Sequence, residues 1–267
     1  MDAKGNAIAA SIRGIAQAED IPVMGIAPAA TLAGEPPGRR PEDLLPRARS
    51  LVSFGLPVPR GVYGETSHSA ETIWRSQNLY YRRLDTVAVL LSALIEDSGE
   101  QAVPIFGCFP MGLNEKGEVM GYLNLIRMGE AAGIGTRGRN GLLLHPRYGS
   151  RLMLGGLVTT ASLPAFRHYD TDLPDCPAEC RICEDACAVD AISPDEKRVD
   201  IMRCLGHTAR MPLMPKLRFL LLRSVRSGAA ARLMNLTAMD EHTLHVCSKC
   251  VALCPYGEED RGPSRLN

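Results

Sequence analysis

Eight of the nine cysteines in this 267-residue chain fall between Cys176 and Cys254; only Cys108 lies outside that window. The first group reads CPAECRICEDACAVDAISP, which separates Cys176, Cys180, Cys183 and Cys187 by three, two and three residues. The second group is Cys247, Cys250 and Cys254, separated by two and three residues and followed by Pro255. Cys204 stands between the groups in RVDIMRCLGHTAR. Thiols this dense in a short window point to a disulfide framework, zinc or iron–sulfur clusters. The N-terminus MDAKGNAIAASIRGIAQAEDIPVMG has no continuous apolar region, because Arg13, Glu19 and Asp20 interrupt it, so it does not read as a signal peptide. Arg39-Arg40 is followed by no apolar stretch and is not a twin-arginine export signal. No run approaches the roughly 18 apolar residues of a membrane span. The expected location is the cytoplasm, where clustered cysteines mean metal or redox chemistry more often than disulfides.

The spacing itself narrows the metal. Three cysteines on one tight loop reach three irons of a cubane, and a fourth, three residues on, points away toward a second cluster. Pro255 fixes φ where the second loop turns into the following segment. Applied to both groups, this crossing rule uses eight ligands. One [4Fe–4S] cluster takes Cys176, Cys180, Cys183 and Cys254, and the other takes Cys187, Cys204, Cys247 and Cys250. The first gap is three residues where two-cluster ferredoxins usually have two, and Ala188 stands where Pro is usual. Two four-cysteine zinc sites are the alternative, but such sites pair separated C-x-x-C knuckles, and interlaced groups fit iron–sulfur better.

Cysteine placement divides the chain into an N-terminal domain, 1–165, and a cluster domain, 166–267. The first reads as mixed α/β. Ile8, Ile12, Ile15 and Ala16 recur at helical spacing, and Ile21–Ile26 and Leu51–Leu56 read as strands. The Pro- and Gly-rich GEPPGRRPEDLLP between them reads as a loop. Residues 78–97 predict a helix burying Leu84, Val87, Leu90, Leu91 and Leu94. Val103–Phe106 predicts another strand, and 122–132 a helix ending at Gly133. In the cluster domain the basic, apolar insert MPLMPKLRFLLLRSVRSGAAARLMNL reads as helical, with Leu217, Leu220, Leu221 and Val225 on a buried face. A formal net charge of +0 with 45% hydrophobic residues argues against a dedicated nucleic-acid binder.

Several segments resemble epoxyqueuosine reductase. They are PEDLLPRARSLVSFGLPVP, the stretch AAGIGTRGRNGLLLHPRYGSRLMLGGLVTT with its Pro-x-x-Gly-Ser turn, and DIMRCLGHT around the isolated cysteine. The motifs recur in the family's order from roughly residue 20 to 256. Epoxyqueuosine reductases are similar in build to reductive dehalogenases. The resemblance implies an α+β chain in which a nitroreductase-like N-terminal domain that binds cobalamin precedes a ferredoxin-like module with two [4Fe–4S] clusters. It implies an oxidoreductase whose clusters pass single electrons to cobalamin for substrate reduction. The position of the family's acidic proton donor falls on Val119, and Thr136 replaces the tryptophan of the family's A-G-L-G-W segment. The chain also stops soon after Cys254, without the helical-repeat extension of many relatives. A paralogue with a changed pocket is the expectation.

By the same resemblance, Gly135, Arg137, Gly138, Arg139, Asn140, His145 and Ser150 are candidate cofactor contacts. From the residues alone, the glycines around Arg137 read equally as a helix C-cap and turn. The spacing of Gly133, Gly135 and Gly138 imitates a dinucleotide fingerprint, but a helix precedes it and Leu142–Leu144 follow. Tyr80 and Tyr81 are candidate acid groups, with packing as the commoner role. His207, three residues after Cys204, is placed to hydrogen-bond near a cluster sulfur. Arg218, Arg223, Arg226 and Arg232 give the insert a basic face suited to an acidic ferredoxin or flavodoxin donor, or to solvent. The rival reading of the whole chain is an electron-transfer or activator protein serving a partner enzyme. The small-molecule substrate is not legible in the residues.

Overall fold

The computed structural model describes residues 3–64, 69–107, 111–113, 119–169, 173, 175–193, 199–210, 217–218, 220–222, 229–230, 244–245 and 247–256. Cys108, Val225, Arg223, Arg226 and Arg232 lie outside the described residues. The order begins α1 (Ala3–Ala18), β1 (Val23–Pro28), a 3-10 turn (Ala29–Leu32), α2 (Pro41–Leu44), β2 (Ser50–Pro57) and a second 3-10 turn (Arg60–Tyr63). It continues with α3 (Ser69–Asp97), β3 (Ala102–Ile105), β4 (Met111–Leu113), β5 (Val119–Gly121), α4 (Leu125–Ala131), β6 (Thr136–Arg137), β7 (Leu143–Leu144) and β8 (Leu152–Thr159). The cysteine-bearing part holds α5 (Ile182–Asp185), α6 (Ile201–Thr208), β9 (Ala209–Arg210), β10 (Leu244–His245) and α7 (Lys249–Ala252).

The main sheet has the order β1-β2-β8-β3, and every neighbouring pair is antiparallel. Alternating helices and strands led to the expectation of an α/β domain. The chain is a mixed helix-and-sheet fold, in keeping with the α+β expectation, and its main sheet is antiparallel. No crossover helix joins β1 to β2, and β8, arriving last, inserts between β2 and β3. The segment Leu152–Thr159, which carried no strand assignment from periodicity, is thus a central strand. It is buried on both faces, so its apolar residues run on without the alternation that marks a half-exposed strand.

Side chains alternate across the sheet with period two. Val52, Phe54 and Leu157 face a core shared with Ile8 and Ile12 of α1 and Leu84, Val87, Ala88, Leu91 and Ile95 of α3. Leu51 and Val158 face the other way, toward Ile105 and Met128. Leu90, expected in the stripe of α3, is 41% exposed. At about 100° per residue it lies roughly 120° round from the stripe's centre. The helix also starts at Ser69, well before residue 78, because its first turns bury little beyond Ile73 and Asn78 and show no stripe.

Two further expectations change. The loop GEPPGRRPEDLLP contains α2, where Pro41 supplies a preset φ at the first helical position. Asp43 accepts hydrogen bonds from the backbone N–H of Gly38 at 2.7 Å and Arg40 at 3.1 Å. Leu217, Leu220 and Leu221 of the insert are helical but 46%, 48% and 73% exposed, so they do not form a buried face.

Candidate metal centre

The cysteines sit on short helices and the loops that flank them. Cys183 lies in α5, Cys204 in α6 and Cys250 in α7. Cys183 is buried, the other seven of these thiols are half-buried, and none is in a disulfide. Their mutual electrostatics reports who neighbours whom. The Cys183 thiol is pushed up to about 11, first by burial and then by Cys176, Cys254 and Cys180. Cys254 is raised by burial and by Cys176 and Cys180. Cys204 is raised by burial and by Cys187 and Cys247. Cys250 is pushed up to about 12 by burial, then by Cys204 and Cys247, with smaller contributions from Cys183 and Cys187. The thiols therefore gather as Cys176, Cys180, Cys183 and Cys254 on one side and Cys187, Cys204, Cys247 and Cys250 on the other, meeting at Cys183 and Cys250.

Such groups disfavour their own thiolates unless positive charge sits among them. Bound iron supplies that charge, and a coordinated thiol gives up its proton. The donor set therefore fits iron–sulfur clusters. Among the described residues no three His, Cys, Asp or Glu side chains converge on one ion. A tetrahedral zinc needs all its sulfurs within about 2.3 Å of one point, whereas a cubane is held at four separate corners. Backbone groups support the loops: the Ala191 N–H donates to Cys187 Sγ at 3.2 Å, and Asp175 Oδ1 accepts from the Cys176 N–H at 2.8 Å.

The glycine-rich loop before β7 is packed closely within the chain. Gly133, at φ +67°, ends α4, and the Ile134 N–H returns to the Gly129 carbonyl at 2.9 Å, a helix C-cap. A side chain at Gly135 would meet the Leu144 carbonyl, and one at Gly138 would meet the Leu144 side chain at 2.7 Å. These glycines serve close packing. The Arg137 N–H donates to Glu130 Oε1 at 3.0 Å, and its Nε is buried without a hydrogen-bond partner. Arg139 reaches the first cysteine group, donating to Ala178 O at 2.6 Å and to Glu184 Oε1 at 3.2 Å. Asn140 reaches the second, with Nδ2 donating to Cys250 O at 3.2 Å. Two adjacent residues thus tie both cysteine groups to the sheet-bearing part of the chain.

His145 is 1% exposed. Its Nδ1 accepts from the N–H groups of Arg147 and Tyr148 at 3.1 and 3.2 Å, and Nε2 lies 3.5 Å from Tyr169 Oη. It stacks on Tyr148 at 4.7 Å and neighbours His168. Protein groups satisfy this loop histidine. Burial, helped by His168 and Arg147, holds its pKa down at about 4. Ser150 is buried beside Cys254, where its hydroxyl opposes the rise in that thiol's pKa.

Tyr80 Oη donates to Pro57 O at 3.2 Å, and the Tyr81 ring covers Gly107, so both pack as the commoner reading allowed. His207 lies half-buried in the last turn of α6. The tyrosine that the sequence did not single out is Tyr63. Burial pushes its phenol up to about 12, with Arg151 acting against this and Tyr80 and Cys250 close enough to add to it. Tyr63 lines a cavity of about 240 Å³ with Arg60, Ser150, Arg151, Cys254 and Tyr256. Only the meeting of the turn Arg60–Tyr63 with α7 creates this site, and no motif spans it.

No protein-family profile matches the chain. Epoxyqueuosine reductase of Synechococcus sp. (strain RCC307) is 44% identical over 80 residues, 30% of this chain and 24% of that protein. Epoxyqueuosine reductase of Synechocystis sp. is 29% identical over 168 residues, 62% and 53% of the two chains. The matches thus span from a quarter to about half of these relatives' lengths. Epoxyqueuosine reductase from Streptococcus thermophilus superposes with a TM-score of 0.56 at 18% identity, covering 97% of this chain and 69% of that one. The catabolic reductive dehalogenase NpRdhA, in complex with 3-bromo-4-hydroxybenzoic acid, superposes with a TM-score of 0.57 at 16% identity, covering 98% and 42%. The chain is thus similar in sequence to stretches of epoxyqueuosine reductases and shares its fold with solved epoxyqueuosine reductases and reductive dehalogenases. One of these dehalogenase structures is described by its B12-dependent dehalogenation.

A corrinoid exceeds a drug-sized ligand, whose pockets run to roughly 300–1,000 Å³. The cavity beside Cys254 encloses about 240 Å³ and is too small for one. Gly135, Gly138, Arg139, Asn140 and His145 are occupied with protein partners. This cavity does not fit a corrinoid. In the described chain, no helix is long and apolar enough to cross a membrane.

Proposed function

We propose that this chain is an iron–sulfur oxidoreductase with two [4Fe–4S] clusters, a member of the reductase superfamily. Cys176, Cys180, Cys183 and Cys254 would hold one, and Cys187, Cys204, Cys247 and Cys250 the other. The observation that carries the reading is the gathering of the eight thiols into these two neighbourhoods, which touch at Cys183 and Cys250. Bound clusters supply one-electron transfer at low potential. The chain's own residues do the rest. Arg139 and Asn140 fix both cysteine groups against the sheet. Half-buried thiols and Ser150 set the polarity around the sulfurs.

The electrons' destination is the cavity at Tyr63 and Arg151 or a partner enzyme. Likeness to a reductase described by its B12-dependent dehalogenation points to cobalamin as the acceptor, and delivery to a substrate or partner by the clusters themselves is the rival reading. A ferredoxin- or flavodoxin-type donor is the expected source, and exposed Arg218 lies on the basic insert proposed to receive it.

Anaerobic purification followed by metal and sulfide analysis tests the reading. About eight irons and eight acid-labile sulfides per chain are expected, at four per cluster. A count near four, or zinc, overturns it. Cys204→Ala is expected to lose about half the iron and leave one cluster's EPR signal; unchanged iron and spectrum would reject the ligand assignment. Added cobalamin that binds stoichiometrically would restore the cobalamin-dependent alternative.

A further inference from the structure

The turn Pro146-x-x-Gly149-Ser150 is fixed from several sides. His145 and Gly149 exchange two backbone hydrogen bonds across it, at 3.1 and 2.8 Å. Gly149 sits at φ +58°, a left-handed value that favours glycine. The N–H groups of Arg147 and Tyr148 both donate to His145 Nδ1. Arg151, the next residue, donates its N–H to Tyr148 O at 3.3 Å before β8 begins at Leu152. Ser150 is therefore presented by a turn with little freedom, and it is 5% exposed. A buried hydroxyl needs a partner, and Ser150 Oγ meets no oxygen or nitrogen atom that serves. The group it reaches is the sulfur of Cys254, with which it shares a wall of the cavity. The hydroxyl donates to Cys254 Sγ, and the Tyr256 N–H donates to the same sulfur.

We propose that Ser150 is a positioning residue for electron transfer, whose hydroxyl, donating to Cys254 Sγ, raises the reduction potential of the cluster held by Cys176, Cys180, Cys183 and Cys254. This rests on the two-cluster reading. A coordinated cysteine is a thiolate, and its sulfur accepts hydrogen bonds. Reduction adds one electron from the ferredoxin- or flavodoxin-type donor, and with it one negative charge spread over irons and sulfurs. A hydrogen bond to a ligand sulfur stabilises that added charge, so it favours the reduced cluster. Water competes little at so buried a hydroxyl, which strengthens the bond. The donor also comes from the sheet-bearing part of the chain, more than 100 residues before its sulfur. In the other cluster, Cys187 Sγ accepts from the Ala191 N–H, four residues along. Docking of the turn before β8 against the end of α7 therefore sets one potential, and local backbone supports the other.

An EPR-monitored redox titration of the full chain tests this, with iron and acid-labile sulfide counted first. Ser150→Ala removes one oxygen from a buried site and adds no volume. It should keep its iron and lower the midpoint of one cluster, by about 59 mV if the hydroxyl favours the reduced form tenfold. The other cluster should stay at the parent's value. Ser150→Thr keeps the hydroxyl and should recover most of the midpoint. Full iron with both midpoints unmoved in Ser150→Ala overturns the proposal, as does an equal fall in both clusters. So does a Ser150→Thr midpoint no nearer the parent's than that of Ser150→Ala. If Ser150→Ala loses one cluster's iron, its retention in Ser150→Thr traces the loss to the hydroxyl, and loss from both variants alike overturns the proposal. Parent protein without iron fails the two-cluster reading itself, before any variant is compared.

Discussion

Asn140 does two things with one amide. Its Oδ1 accepts from the Leu142 N–H at 3.2 Å and its Nδ2 donates to Cys250 O at 3.2 Å. Asn140→Ala strands a half-buried carbonyl and a half-buried N–H, which costs at most about 1–3 kcal/mol per group. The expected outcome is a lower urea midpoint together with faster loss of iron to a chelator. His145 gives a pH dependence of fixed sign. Its folded pKa of about 4 lies below the ordinary value of 6.5, so the folded chain binds fewer protons than the unfolded one. Stability from this residue is whole above about pH 6.5 and is lost as pH falls toward about 4. His145→Gln should flatten that part of the urea midpoint's pH profile. A profile as steep as the parent's would mean that other groups carry it.

At the scale of elements, burial ranks the strands and helices by what they can tolerate. Leu157 sits in the central strand β8 at 0% exposure, among α1 and α3 side chains. Leu157→Ala should cost about 2–5 kcal/mol, through lost transfer energy plus the cavity left behind. Leu90→Ala, on the exposed flank of α3, should stay within about 0.5 kcal/mol. Equal effects in thermal unfolding would show that the stripe has been misread. The ion pair of Arg139 with Glu184 joins β6 and its loop to α5, with side chains only 14% and 11% exposed. Removing one partner leaves the other poorly solvated, so a surface-pair magnitude is not the right guide to it.

For the whole molecule, the two parts draw on different sources of stability. Buried apolar clusters hold the sheet with α1, α3 and α4. In the cysteine-bearing part, the buried apolar residues among those described are few: Cys183, Ala191, Ile192 and Ala230. On the proposed cluster reading, a part with so little core leans on its metal, as small metal-bound domains do. Stripping the iron anaerobically should therefore raise hydrogen exchange through α5, α6 and α7 while β1, β2, β3 and β8 stay protected. Uniform deprotection would show one cooperative unit instead.

The residues by themselves determined the thiol spacing on which the cluster proposal rests. Cysteine spacing is local, and a loop of three thiols plus one directed away presents the same ligands in whatever fold surrounds it. They also determined α1 and the stripe of α3, where a 3.6-residue period is written in Ile8, Ile12, Leu84, Val87 and Leu91. The tertiary structure decided what no period encodes. It made Leu152–Thr159 a central strand, because burial on both faces erases alternation. It packed Gly135 and Gly138 against Leu144, and it turned Arg139 and Asn140 to the cysteine groups, whose contacts lie about 40 to 110 residues away along the chain. It brought Tyr63 and Arg151 against Cys254, a meeting of three segments that lines the cavity.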